Sequence, residues 1–459
     1  MRFRKIISCV VLCGFTVLCV QPPAFGGGAS VDEDIMKEFR EMKELLKKQN
    51  DRIEELEKRL MTQDSTIAEQ KKSTEKRLNE LSGEDISARL KRELGEMHGL
   101  PGGLDIGAGL TMVGQGAANA NNPDATDGKK ARFDGSYSAD LEIGKDFDDF
   151  GRAFIHLEAG QGDTVESELS VFSNVNRDAG DSNAHLDITE AWYEHYLFDK
   201  QITITGGKID ATCYLDTNAF ANDETAQFLG HIFRNSAVID WPDDNGFGAR
   251  MYLAPEFAKF VDVEMLYMNE RGDWENLFDN PFIGGQFNFM PAKAFGYDEE
   301  MWEGNYRVLF WYNGAAHSKV KDPDVLKRGN AGFGFSMDQK ITDVYGVFGR
   351  FGWANPTVND LAYDWSFGGQ MTGKYWNRED DVVAVAIGQV IPGKEYRDIN
   401  EFHKAETHIE AYYSFQVNKY LTLSPDMQII WDPNGGGING IDKDAETVFV
   451  YGIRGQVSF

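Results

Sequence analysis

Cysteine is scarce in this sequence, and its placement already limits what the chain can be. The four cysteines are Cys9, Cys13, Cys19 and Cys213, and three of them fall in the first thirty residues. That opening carries Arg2, Arg4 and Lys5, then an apolar run from Ile6 to Val20, then QPPAFGGGAS with small residues suited to cleavage. Residues 1–30 therefore read as a secretory signal peptide. Neither Cys13 nor Cys19 follows the small residue that a lipoprotein signal usually places before its cysteine. Only Cys213 would survive processing, which excludes an internal disulfide in the exported protein.

A long hydrophobic run is absent as well. No window after residue 30 stays apolar for the ~20 residues a membrane helix requires, so a helical span of the mature chain is not expected. Basic residues are few: 100–459 holds 28 Lys and Arg against 56 Asp and Glu, and carries the whole net charge of −28. This balance argues against a nucleic-acid partner and against a pore built to attract anions. Histidine is sparse at 8, and no Gly-x-Ser-x-Gly elbow occurs. A Ser/His or paired-acid enzyme site is not indicated. His185 with His195, and His403 with His408, have no cysteine partners, and Asp432, Asp442 and Asp444 lack EF-hand spacing. Neither a catalytic residue, a metal site nor a cofactor is expected.

What the chain does have is periodicity of two kinds. From Ile35, alternating steps of four and three reach Phe39, Met42, Leu46, Gln49, Ile53, Leu56, Leu60, Gln63, Ile67, Gln70 and Thr74. That is a heptad seam, and a further four-residue step to Leu78 and Leu81 acts as a stutter. The spacing predicts an α-helical coiled coil over 31–99, periplasmic if residues 100–459 sit in an outer membrane. Gln49, Gln63 and Gln70 recur in the seam and disfavour a purely apolar dimer, so a homotrimer is expected. At ~1.5 Å per residue such a coil reaches roughly 100 Å, far enough to approach peptidoglycan or another cell-wall component.

Past Pro101, Gly102 and Gly103 the period becomes two. The last strand shows it: Phe449, Tyr451, Ile453, Gly455, Val457 and Phe459 share one face, while Gly452, Arg454, Gln456 and Ser458 share the other. Strands are expected at 104–116, 131–145, 150–160, 185–197, 201–209, 245–253, 258–267, 282–290, 303–312, 331–337, 341–353, 363–371, 381–390, 405–415, 420–430 and 446–459. Short links such as 146–149 and 198–200 alternate with long polar ones such as 117–130, 161–184, 210–244, 313–330 and 431–445. The link 291–302 is longer than that alternation predicts. Short turns on one side and long loops on the other give the layout of an all-β transmembrane barrel of about 16 antiparallel strands, 100–459, set in outer-membrane lipid.

Charges cannot face lipid cheaply, so the polar face of each strand must line a lumen. The alternation turns Arg152, Arg250, Arg307, Arg350 and Arg454 inward, with His156, Glu158, Asp262 and Glu264. An inward Arg among carboxylates can be a satisfied structural pair or a donor offered to solute. Sugars need donors, acceptors and aromatic faces, and Trp311 and Phe154 point inward by the same count.

Two stretches carry a family resemblance: GGKIDATCYLDTNAFANDETAQFLG at 206–230 and YYSFQVNKYLTLSPDMQIIWDPNGG at 412–436. They resemble the carbohydrate-selective porins known as OprB-like. The resemblance implies a sixteen-stranded outer-membrane barrel that lets sugars or other small hydrophilic solutes diffuse passively, without catalysis. The loop bearing Asp216, Asn218, Phe220, Asn222, Asp223, Glu224 and Phe228 is long enough to enter the lumen and narrow it, or else to cap the barrel outside. The coil departs from the simplest family members. The competing reading is a general cation-favouring porin whose coil tethers the outer membrane to the wall.

Overall fold

The computed structural model describes residues 103–122, 131–178, 185–438 and 441–458. The expected signal peptide and coiled coil lie outside the described residues. Within them the sheet begins with β1 (Leu104–Ala118), β2 (Ala131–Asp146), β3 (Gly151–Gln161), β4 (Leu186–Leu197), β5 (Ile202–Ile209) and β6 (Gly246–Leu253). It continues through β7 (Val261–Asn269), β8 (Pro281–Phe289), β9 (Gly304–Lys319), β10 (Asp322–Lys340) and β11 (Tyr345–Ala354). Next come β12 (Leu361–Gly373), β13 (Arg378–Pro392), β14 (Glu406–Asn418) and β15 (Leu421–Trp431). A small separate pair, β16 (Gly437–Ile438) and β17 (Ile441–Asp444), precedes the last barrel strand, β18 (Val448–Ser458).

Each barrel strand pairs antiparallel with its sequence neighbour, and β18 pairs with both β15 and β1, closing sixteen strands into one barrel. The closing register runs from Gly109 opposite Ser458 to Ala118 opposite Phe449. Closure leaves no barrel edge unpaired, a requirement in a medium that cannot hydrogen-bond the backbone.

The burial pattern is the inverse of a soluble sandwich. Phe133, Tyr137 and Leu141 of β2 are exposed, whereas Ser136 and Ser138 between them are buried. The same holds around the barrel: Phe310, Phe367, Val385, Met427 and Tyr451 face outward, while Gln286, Ser336, Asp364, Glu410 and Arg454 are buried inside. An apolar exterior alternating with a polar interior is the signature of a strand set in lipid.

Two connections depart from the sequence-based expectation. Residues 313–330 read in sequence as a long polar loop; instead β9 and β10 continue into it as an extended hairpin, with a register shift between Arg328 and Asn330. Alternation persists there, since Asn313, Ala315 and Asn330 remain buried. The overlong link near 291–302 holds two short helices, α2 (Pro291–Phe295) and α3 (Glu299–Trp302). Pro291 stands in the first turn of α2, where its missing N–H costs nothing, and Gly296 at φ 70° ends it.

Candidate functional site

An open sixteen-strand barrel would leave its inner polar side chains wet. Here they are buried, and the covering is the protein's own chain. The β5–β6 connection, 210–245, begins with a 3-10 turn that Asp210 caps by accepting from Thr212 N at 2.8 Å. It contains the short helix α1 (His231–Arg234) and crosses to the far wall. Asn218 donates to Met337 O at 2.9 Å on β10, and Asp216 N donates to Gln286 on β8. Leu229 N and Gly230 N donate to the Glu410 carboxylate on β14, at 2.6 and 2.9 Å. Ser236 Oγ and Ala237 N donate to Asp364 on β12.

The predicted lumenal arginines meet this loop or nearby carboxylates of the wall. Arg350, 1% exposed at its side chain, pairs with Asp216 at 3.2 Å and donates to the carbonyls of Phe233 and Asp216 and to Asn222 Oδ1. Arg454 donates through Nη1 to Glu224 O and Gln227 O, both at 2.7 Å. Arg250 forms a two-pronged bond to Glu264 at 2.8 and 2.7 Å and lies 3.6 Å from Glu194. Arg307 pairs with Asp338. Arg152 sits at the short-turn end, 3.7 Å from Asp146. Of the two readings an inward arginine allows, the geometry gives Arg250, Arg307, Arg350 and Arg454 the structural one.

By alternation Trp311 points inward, either to offer an aromatic face to solute or to fill the wall. It does point inward, but the loop covers it: it is buried with Leu215, Val238 and Ile239 of that loop. Phe154 stacks on Trp192 at 5.1 Å between ring centres. Among the loop residues, Phe228 is buried against Phe233, Phe348 and Tyr412, and Phe220 lies on Gly346, where any Cβ would collide with its ring. Asp216 holds φ 56°, a left-handed turn that its bonds to Arg350 and Ser236 N maintain.

A second loop enters too, and sequence reasoning missed it. In the β3–β4 connection, Phe172 N and Ser173 N donate to Glu406 of β14, and Val175 O accepts from Gln428 at 2.8 Å. Its Val165, Leu169 and Val175 are buried against Ala117, Ile430 and Val450 of the wall. Regularly placed valine and leucine in a segment that ought to be wet was the available signal. The two loops also bond to each other: Arg177 N donates to Leu229 O at 2.8 Å and His231 N to Asn174 O at 2.9 Å. Burial, reinforced by Arg177 and Arg234, pushes His231 down to about 3, so it is neutral. Burial pushes Glu166 up to about 7 against the backbone donors Asn176 and Val175, and Asp178 up to about 8.

Between these loops and the β1–β4 wall a cavity of about 580 Å³ remains. Its lining includes Asp140, Glu142, His156, Glu158, Asp178, Glu190, Asp210, Cys213, Asn222, Asp223, Glu224 and Arg234, with Gln456 and Ser458 of β18. The wall is a grid set by register. Asp140 faces Glu158 across β2–β3, and Glu158 faces Asp187 across β3–β4. One row along, Glu142, His156 and Glu190 are aligned in the same way. His156 Nε2 lies 3.0 Å from Asp140 and its Nδ1 2.8 Å from Thr189 Oγ1, beside a bulge in β4. Among the described residues, Arg234, held by Glu224, is the only Lys or Arg of that lining. Of the predicted site residues, His156, Glu158, Asn222, Asp223 and Glu224 thus come together here, and the four buried arginines do not.

A closed barrel with an apolar exterior, a polar interior and loops folded across it defines a porin-type outer-membrane β-barrel. The chain belongs to the carbohydrate-selective porin, OprB family, whose match spans residues 125–459. Among curated proteins it is similar to Porin B of Pseudomonas aeruginosa, 22% identical over 59% of this chain and 68% of that protein. It is also similar to Porin AaxA of Chlamydia abortus, 19% identical over 68% of this chain and 65% of that one. An uncharacterized protein of Aquifex aeolicus is 24% identical over 51% of this chain and 60% of its own length. The chain thus spans under two-thirds of the Aquifex and Chlamydia relatives. Among solved structures, the high-pH form of Pseudomonas putida OprB superposes with a TM-score of 0.65 at 18% identity, covering 82% of this chain and 97% of that one.

Proposed function

We propose that this protein is an outer-membrane porin through which small hydrophilic solutes, sugars foremost, diffuse passively. One observation carries the reading: two loops fold into the lumen and leave a polar cavity against the β1–β4 wall, lined by carboxylates, amides and hydroxyls, which we take as part of the solute passage. Those groups accept from and donate to sugar hydroxyls without making or breaking bonds, so no enzymatic step is needed. At ~30 Å³ per water the cavity has room for roughly twenty waters, or for a small sugar with part of its hydration. The description of the family as carbohydrate-selective supports the solute class.

Liposome swelling with the purified full chain tests it. Glucose and maltose should enter faster than uncharged linear polyols of matched size. Equal entry of sugars and polyols would leave a general pore.

A cation-favouring general porin is the second reading, favoured by the excess of carboxylates over Arg234 in the passage. In either case the segment 31–99 is proposed to hold three copies together beneath the membrane and to reach toward peptidoglycan.

A further inference from the structure

Carboxylates aligned side by side across a sheet repel one another, and each such pair opposes folding unless a counter-charge lies nearby. Asp140, Glu158 and Asp187 form a row of this kind, with His156 beside Asp140 at one end and His185 beside Asp187 at the other. Lumenal arginines would be the obvious remedy, but Arg350 is engaged by Asp216 of the loop, Arg250 and Arg307 by Glu264 and Asp338, and Arg454, whose Nη1 fastens the loop, does not line the cavity. Asp178 faces the row from the in-folded β3–β4 loop. It lines the cavity, is more than nine-tenths buried, and bonds through Oδ1 to Ser138 at 2.9 Å, while its Oδ2 has no hydrogen-bond partner among the described residues. Leaving a buried carboxylate oxygen unpaired forfeits its hydration without replacement, at a greater cost when the group is charged. Burial, with Glu224 and Asp140 adding to it, raises the pKa of this carboxyl against the opposing pull of the Ser138 hydroxyl and the Arg454 guanidinium.

We propose that the passage contains a subsite for a protonated amine, formed by Asp178, Asp140 and Glu158, and that it favours amine-bearing sugars over their neutral parents. This rests on the porin reading and sharpens its solute class. A primary ammonium supplies three donors and one positive charge on a compact head. Asp178 from the loop and the Asp140–Glu158 pair from the wall approach it from two sides, while the amides and hydroxyls nearby take the sugar hydroxyls.

The test uses the full chain in planar bilayers at a pH where the amine is charged, with D-glucose, D-glucosamine and N-acetyl-D-glucosamine added in turn. Partly wet ion pairs contribute up to ~1 kcal/mol, so glucosamine should block or permeate at about fivefold lower concentration than glucose, with the N-acetyl sugar matching glucose. Asp178→Asn should abolish most of that preference, bringing glucosamine to the level of glucose. Glu158→Gln, on a strand rather than a loop, should do the same, which guards against simple loosening of the β3–β4 loop by the first variant. Equal response to glucose and glucosamine, or a preference that survives both variants, would overturn the subsite and leave the sugar porin standing. Salt current indifferent to all three sugars would overturn the sugar reading along with it.

Discussion

Arg350 shows how a residue predicted to serve solute comes to serve the fold. Its guanidinium reaches Asp216, Asn222 and two backbone carbonyls of a segment more than a hundred residues earlier in the chain. Removing one partner of a buried ion pair costs about 3–5 kcal/mol, because the other charge is stranded. Asp216→Asn should therefore loosen the β5–β6 loop rather than unfold the barrel. Single-channel recordings should show larger and noisier currents, and quiet currents of unchanged size would count against the latch. The inward direction of Arg350 was legible from alternation alone. Its partner was not, because a long-range pairing between strand and loop leaves no periodic trace. Trp311 divides the same way: its direction follows from the strand, its burial from Leu215 and Val238 of a distant loop.

At the scale of elements, the strands were legible because lipid outside and water inside impose one alternation on every one of them. The loops obey no such rule. The 161–184 link reads in sequence as an extracellular connection, yet Val165, Leu169 and Val175 anchor it inside. Glu166 binds Val175 N and Asn176 N within that loop, and burial lifts it from an ordinary carboxyl to about 7. A carboxyl raised on folding holds its proton more tightly in the folded state, so its contribution to stability falls as pH rises from about 4.5 to about 7. Proteolytic nicking within the β3–β4 loop should accordingly be faster at pH 8 than at pH 5, and Glu166→Gln should flatten that difference. An undiminished pH slope in the Gln variant would exclude Glu166 as its cause. In the other loop, Phe220 rests on Gly346 with no space for a side chain beneath it. Gly346→Leu should displace the tip of the loop and widen the passage, seen as a conductance step above that of the wild type; an unchanged step would mean the tip does not bound the passage.

At the scale of the whole molecule, the acidic balance of 100–459 was plain in the composition, and its concentration along the β2–β4 wall is what the fold adds. Alternation turns His156 and Glu158 inward, but only register aligns them with Glu142, Glu190, Asp140 and Asp187. The heptad segment makes a separate prediction. Deleting 31–99 should reduce a cross-linked trimer to smaller species and weaken the envelope while the barrel still conducts; a trimer that survives the deletion would place assembly in the barrel itself.

The passage carries its own reporter. Cys213 is exposed and lines the cavity within the barrel, opposite the acidic wall. Although its surface is open to the cavity, desolvation inside the barrel, with Asp210 and Glu190 nearby, raises its thiol pKa, so reaction should be slow at neutral pH and faster in mild alkali. The most direct measurement is current through single channels while a cationic methanethiosulfonate, and then an anionic one, is applied, with Cys213→Ser as the control. The expected result is a lasting drop in current, quicker with the cationic reagent and absent in the Ser variant. Modification confirmed by mass spectrometry with no change in current would place the solute path somewhere other than between the β1–β4 wall and the in-folded loops.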